Sequence, residues 1–347
     1  MKVQEKEIIP RIGISQGDIN GVSYEVIIKA LIDNRITEIC TPIVYGSSKV
    51  ASYHKKLLNI GEFNLNVVRS ADQATLKRSN IINVYQEEAK IDIGESTLMA
   101  GALSLLSLEA CMHDYDKGMI NAIVTGPINK KNIQSKEFNF PGHTEYFARK
   151  FQSANYLMLM VARNLRIGLI TTHAPLVKVP EMITTELILK KIKIMNESLK
   201  RDFAVSRPKI AVLSVNPHSG DDGLLGDEEK KVIIPAINKA IEENLLVFGP
   251  FPADGLFGSG NFNNFDGVIA MYHDQGLIPF KVIADKEGVN FTAGLPLVRT
   301  SPAHGTAFDI AGKDKASPDS MRQAIYMAAD IYKNRIEYDE LIANSLK

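Results

Sequence analysis

The sequence predicts an α/β protein with a largely parallel sheet. Three observations predict it. Short β-branched apolar runs recur along all 347 residues, longer segments of helical spacing separate them, and polar Gly-rich loops follow the carboxyl ends of most runs. A chain of this length exceeds what one compact core usually accommodates, so two domains or one large α/β unit, either with room for a cleft, is the expectation.

The strand-like runs are Arg11 to Ser15, Thr41 to Tyr45, Ile120 to Thr125, Leu165 to Thr172, Lys209 to Val215 and Asp266 to Tyr272. Near-continuous apolar character in short runs is the signature of strands buried on both faces. The helical segments are Val22 to Ile32, Ser96 to Met112, Thr185 to Leu199, Glu228 to Glu243 and Pro318 to Tyr332. After the runs come SQGDING, GPINKK, HAPL, NPHSGDDG and HDQG. In open α/β sheets the carboxyl ends of strands face the ligand crevice, so these loops are the place to look for chemistry.

Lys plus Arg number 40 and Asp plus Glu number 40, so no global field attracts nucleic acid or an anionic membrane, and a small-molecule partner is favoured. Cys40 and Cys111 are the two cysteines; lacking CxxC spacing, they read as buried thiols in a reducing, cytoplasmic setting. No stretch approaches the length of a membrane span, and the amino terminus MKVQEKEIIPRIGIS is too charged for a secretory signal.

Of seven histidines, His54 and His113 lie in polar helical contexts and read as solvated surface residues. His143, His173, His218, His273 and His304 sit in turn-like segments. His173, His218 and His273 could each offer an imidazole to one divalent ion, although their separations do not match HxxH or HExxH, and hydrogen-bonding of a loop is the competing reading. Asp221, Asp222 and Asp274 stand beside them as partners or helix caps. Lys281, Asn290 and Arg299 form a cationic and hydrogen-bonding set suited to phosphate, while Asn129, Lys130 and Lys131 are either an anion cradle or a solvated basic turn. Neither GxGxxG, a P-loop nor GxSxG occurs, so any dinucleotide needs a different geometry.

Eight segments in order resemble the 4-hydroxythreonine-4-phosphate dehydrogenase family of pyridoxal phosphate biosynthesis: GISQGDING from Gly13, TGPINKK from Thr125, FPGHTEYFA from Phe140, TTHAPL from Thr171, NPHSGDDGLLGDEE from Asn216, GPFPADGLF from Gly249, MYHDQGLIPFK from Met271 and GVNFTAGLPLVRTSPAHGTAFDIAGK from Gly288. The resemblance implies the isocitrate/isopropylmalate dehydrogenase-like fold, two α/β domains flanking a cleft, with residues 1–128 plus 300–347 as the first domain and 129–299 as the second. It implies a homodimer with the active site at the subunit interface. It makes His173, His218 and His273 the metal ligands for Zn, Mg, Co or Mn, and His143, Thr144, Lys281, Asn290 and Arg299 the substrate-binding residues. PAHGTAFDIAGK is similar to the adenosine-binding loop of isopropylmalate dehydrogenases, which implies that His304 meets adenine and Asp309 accepts from the ribose 2'-hydroxyl, favouring NAD over NADP.

The implied reaction is oxidation of 4-phosphooxy-L-threonine at C3 to 2-amino-3-oxo-4-phosphooxybutanoate, with hydride passing to NAD and decarboxylation to 3-amino-2-oxopropyl phosphate. Lys130, Asp254 and Asp274 are the candidates for the general base, and the sequence does not choose among them. FKVIADKEGVN, ending at Asn290, departs from the family pattern. The alternative is therefore oxidation of D-threonate or D-erythronate 4-phosphate on the same scaffold. A phosphate-binding or acyltransfer protein of related fold is the reading from another class, and HGTAFDIAGK argues against it.

Overall fold

The structure is a computed structural model describing residues 8–86 and 88–345. It divides into two compact units, the first comprising the chain up to Gly142 with Leu297–Lys333, the second comprising His143–Pro296 with the chain from Asn334. In chain order the first unit contributes strands β1 (Arg11–Ser15), β2 (Thr41–Gly46), β3 (Asn66–Val68), β4 (Asn80–Asn83) and β5 (Ala122–Thr125). The second contributes β6 (Leu157–Ala162), β7 (Leu165–Leu169), β8 (Lys209–Leu213), β9 (Leu246–Phe251), β10 (Gly267–Ala270) and β11 (Val289–Ala293), and β12 (Val298–Pro302) returns to the first.

The first unit's strands run in the order β3, β4, β2, β1, β5, β12, and every pairing within it is parallel. Ile12, Ile14, Ile43, Val44, Ile123 and Val124 are fully buried, as expected for strands covered on both faces. A Cβ at Gly13 would come within 2.5 Å of the end of the Ile120 side chain, so glycine there leaves that side chain room. The helix Leu98–Asp116 is capped by Thr97, whose side chain accepts from the Ala100 amide. Cys40 and Cys111 are both buried free thiols, and burial pushes Cys40 up to about 12.

His54 differs from the sequence expectation. It is 1% exposed on the inner face of the helix Ser48–Leu57, with its ring stacked 5.2 Å from Tyr24 and Nε2 2.8 Å from the Ile19 carbonyl oxygen. The segment looks polar because Lys55 and Lys56 flank it, yet Val50, Ala51 and His54 fall on one helical face and turn inward. Burial lowers its pKa from 6.5 to about 4.

In the second unit the order is β11, β6, β7, β10, β8, β9; β6 is antiparallel to both neighbours, whereas β7, β10, β8 and β9 pair in parallel. The helix Thr185–Arg201 buries Ile188, Ile192, Met195 and Leu199 at helical spacing. Gly168 on β7 and Gly267 on β10 make room for it, since a Cβ at either would approach Met195 to 2.9 and 2.6 Å. Asp202 and Arg335 form a buried pair, 2.6 Å between Oδ1 and Nε. Ser198 Oγ donates to the other carboxylate oxygen, and Arg335 Nη1 donates to the carbonyls of Leu295 and Pro296.

Candidate functional site

The first unit gathers its polar loops beyond β1 and β5. Asp18 is fully buried; its carboxylate accepts from Asn132 Nδ2 at 2.8 Å and from the Asn20 amide at 2.9 Å, tying SQGDING to the loop that carries Lys130. Desolvation raises the Asp18 pKa, with these donors opposing the rise. A Cβ at Gly17, where φ is +66°, would stand 2.4 Å from the Pro127 carbonyl oxygen, so the two loops meet only through glycine. Lys130 and Lys131 are exposed. Arg299, on β12, is 2% exposed, and its Nε and Nη2 donate to Thr125 Oγ1 at 3.2 and 2.6 Å, at the head of TGPINKK.

His304 and Asp309 lie exposed on the loop after β12. That loop is pinned by the Val22 amide donating to the Thr306 carbonyl, and a Cβ on Gly21 would approach that oxygen to 2.6 Å. An imidazole and a carboxylate thus lie exposed on one pinned loop, side-chain chemistry that fits the adenosine end of a dinucleotide.

The second unit holds all three histidines singled out as ligands. The pairing of β7 with β10 continues past their ends, with the Ile170 and Thr171 amides donating to Ala270 and Met271. This brings the loop of His173 beside His273, the first residue of the helix His273–Ala284, and the two rings are 6.3 Å apart by centroid. His273 Nδ1 lies 2.7 Å from Asp274 Oδ1, and His173 Nδ1 faces Glu145 Oε1 at 3.5 Å. A carboxylate at Nδ1 leaves Nε2 as the available lone pair, and that donor set fits a divalent ion. Among the described residues, no three His, Cys, Asp or Glu side chains of one chain come close enough to hold one.

His218 follows β8 on a turn of unusual conformation. His218, Ser219, Gly220, Asp221 and Asp222 all have positive φ, between 42° and 79°. A left-handed turn costs roughly 1–2 kcal/mol per residue bearing a Cβ, and such strain persists where surrounding structure holds it and clusters at functional sites. Asp222 pairs with Lys230 at 3.8 Å, and no bond joins Asp221 or Asp222 to a histidine in the hydrogen bonds described.

Thr144 is buried in the helix His143–Lys150, with Oγ1 3.4 Å from Thr292 Oγ1 on β11. Two residues earlier on that strand is Asn290, whose buried Oδ1 has no hydrogen-bond partner among the described residues. Lys281, Asp254 and Asp274 are exposed. Sequence reasoning missed Glu145, Thr125, Asp18 and Glu229. All four lie inside the quoted motifs, Glu145 directly after Thr144, yet none was among the residues singled out.

Residues 38–328 match the family described as pyridoxal phosphate biosynthetic protein PdxA. The chain belongs to that family. A 4-hydroxythreonine-4-phosphate dehydrogenase of Bacteroides thetaiotaomicron is 52% identical over 326 residues, covering 94% of this chain and 89% of its own. One from Sulfurihydrogenibium is 37% identical, covering 92% and 97%. A protein of Oceanobacillus iheyensis named "Putative D-threonate 4-phosphate dehydrogenase" is also 37% identical, covering 93% and 98%. The crystal structure of the Klebsiella pneumoniae 4-hydroxythreonine-4-phosphate dehydrogenase superposes with a TM-score of 0.79 at 33% identity, covering 93% and 99%. This PdxA family member therefore shares the α/β fold of a solved dehydrogenase along nearly its whole length.

Proposed function

We propose that the protein oxidises 4-hydroxythreonine 4-phosphate in pyridoxal phosphate biosynthesis, with NAD as oxidant and a divalent ion at His173, His218 and His273. The observation that carries this reading is the carboxylate-backed pair His173 and His273 in a chain 52% identical to a dehydrogenase of that name. The ion's contribution when bound is Lewis-acid stabilisation of charge developing on the substrate's C3 oxygen. NAD, when bound, would supply the hydride acceptor.

The chain's own residues supply binding, orientation and proton transfer. Arg299, locked by Thr125 Oγ1, and Lys281 offer cationic donors to the phosphate or carboxylate, with Arg able to bind two oxygens at once. Asn290 aims an unpartnered amide oxygen that suits a substrate ammonium or hydroxyl, and Thr144 and His143 contact the substrate beside it. The general base is one of Lys130, Asp254 and Asp274; Asp274 already engages His273, which leaves Lys130 and Asp254 less committed. Asp309 accepts the ribose 2'-hydroxyl and His304 meets adenine.

The active unit in this reading is a homodimer with shared sites, acting in the cytoplasm. On the helix that begins with His273, Ile278 and Val282 are 62% and 78% exposed around Lys281, and Leu224 beyond the His218 turn is 78% exposed. Apolar side chains so placed suit burial against a second copy. No helix among the described residues is long and apolar enough to cross a membrane.

The D-threonate 4-phosphate reading remains the second, because a relative of that name matches as fully as some named for the first. The experiment is product analysis with NAD, ion and 4-hydroxythreonine 4-phosphate. NADH and carbon dioxide in equal amounts, with an amino ketone phosphate, support the proposal; NADH without carbon dioxide contradicts the decarboxylating reaction.

A further inference from the structure

We propose that Glu229 is a positioning residue for His218: its buried carboxylate clamps the backbone at the root of the left-handed turn and so fixes where the imidazole points. The proposal rests on the reading of His218 as a metal ligand.

A run of positive φ from His218 to Asp222 does not hold itself, because four of its five residues carry a Cβ that disfavours the conformation. Something outside the turn must determine it. Glu229 is 2% exposed and reaches back across the sequence. Its Oε1 accepts from the amides of Val215 and Asn216 at 2.9 and 2.8 Å, and its Oε2 accepts from Asn216 Nδ2 at 2.9 Å. The other Asn216 amide hydrogen goes to Glu228 Oε2 at 2.7 Å. Two backbone donors and a side-chain donor thus converge on one carboxylate immediately before the turn.

The glycines around it are sized for this clamp. A Cβ at Gly220 would come to 2.7 Å from Glu229 Oε2, and one at Gly226 to 2.4 Å from Asn216 Nδ2. Both also have positive φ, +79° and +127°. Glu229 itself begins a π-helical turn, Glu229–Ile233, a rare wide form frequent at functional sites. The acidic end of NPHSGDDGLLGDEE is therefore folded back on its beginning. Nothing in this geometry places Glu229 against a substrate, so its action passes through the turn.

The test uses the full chain with Glu229→Gln and Glu229→Ala, with His218→Ala alongside. Gln keeps the shape but turns an NH2 group towards the Asn216 amide nitrogen, two donors face to face. Hydrogen exchange of metal-free protein is followed by mass spectrometry over the segment 215–225, where the Leu224 and Leu225 amides donate to Asp221 and Gly220. Co2+ affinity is measured by titration calorimetry, without turnover.

The expected result in Glu229→Gln is at least tenfold faster exchange in that segment, unchanged protection of β7 and β10, and a Co2+ affinity about 10–100-fold weaker, the usual effect of removing an outer partner of a metal site. Parent-like exchange overturns the clamp. Faster exchange with parent-like Co2+ affinity, where His218→Ala abolishes binding, overturns the positioning role and leaves Glu229 a structural residue. If His218→Ala binds Co2+ as the parent does, the ligand reading fails, and the exchange rates alone then decide whether Glu229 fixes the turn. Should Glu229→Ala not fold, Glu229→Gln and Asn216→Ala carry the comparison.

Discussion

Replacing His54 by Gln should flatten part of the protein's acid sensitivity. His54 is sealed in the first unit against Tyr24, with Nε2 2.8 Å from the Ile19 carbonyl in the SQGDING loop. Burial lowers its pKa from 6.5 to about 4. Above pH 6.5 the imidazole is neutral in both folded and unfolded chains and costs nothing. Between 6.5 and 4 the unfolded chain takes up a proton that the folded chain refuses, so stability falls with pH across that window. At about 1.4 kcal/mol per pH unit, the loss amounts to roughly 2 kcal/mol between pH 7.5 and 5 and roughly 3 kcal/mol by pH 4. Gln keeps an N–H for the Ile19 carbonyl but has no proton to gain. Urea unfolding of parent and His54→Gln at pH 7.5 and pH 5 isolates the effect, because every other titrating group is shared. The parent should lose about 2 kcal/mol more than the variant, a difference of roughly 4–8 °C in Tm. Parallel losses in the two proteins would refute the assignment of this proton to a buried His54.

Three further outcomes are expected. Asp202→Ala leaves the Arg335 guanidinium buried without its carboxylate and should cost about 3–5 kcal/mol, read by calorimetry of the second unit's transition; a loss under about 1 kcal/mol would show that the pair is solvated. Asp309→Asn should narrow the preference for NAD over NADP in kcat/KM. A carboxylate roughly 4 Å from a 2'-phosphate is repelled by about 4 kcal/mol at an effective dielectric of about 20, so an unchanged strong preference would remove Asp309 from cofactor choice. Mixing inactive His218→Ala and His273→Ala proteins under subunit exchange should recover activity, and confirmed heterodimers without any would count against sites shared between subunits.

Much of the fold was legible because buried parallel strands announce themselves. Ile12, Ile14, Ile123 and Val124 are apolar on both faces, and the loops after them carry the polar residues that the structure indeed clusters. The short strands Asn66–Val68 and Asn80–Asn83 escaped notice because they carry asparagine and no sustained apolar run. The run Leu165 to Thr172 ends as a strand at Leu169, yet its pairing continues through Thr171 and is what places His173 next to His273. Of the site, the histidines drew notice through their positions after strands. Asp274 drew notice as a neighbour of His273, but Glu145 and Glu229 did not, because they act across folds of the backbone that spacing does not reveal. An acidic residue in a first helical turn reads as a cap until the chain is seen to bend back on it. His54 was misread for the related reason that neighbouring lysines masked an inward helical face.

The central claim is tested most directly by kcat/KM for NADH formation with 4-hydroxythreonine 4-phosphate, D-threonate 4-phosphate and D-erythronate 4-phosphate, measured on protein stripped of metal and then supplied with Zn, Co, Mn or Mg. The expected result is no activity without an ion, restored activity with one, and kcat/KM at least tenfold higher for 4-hydroxythreonine 4-phosphate than for either sugar acid phosphate. Full activity in the stripped protein, or a preference for a sugar acid phosphate, would contradict it.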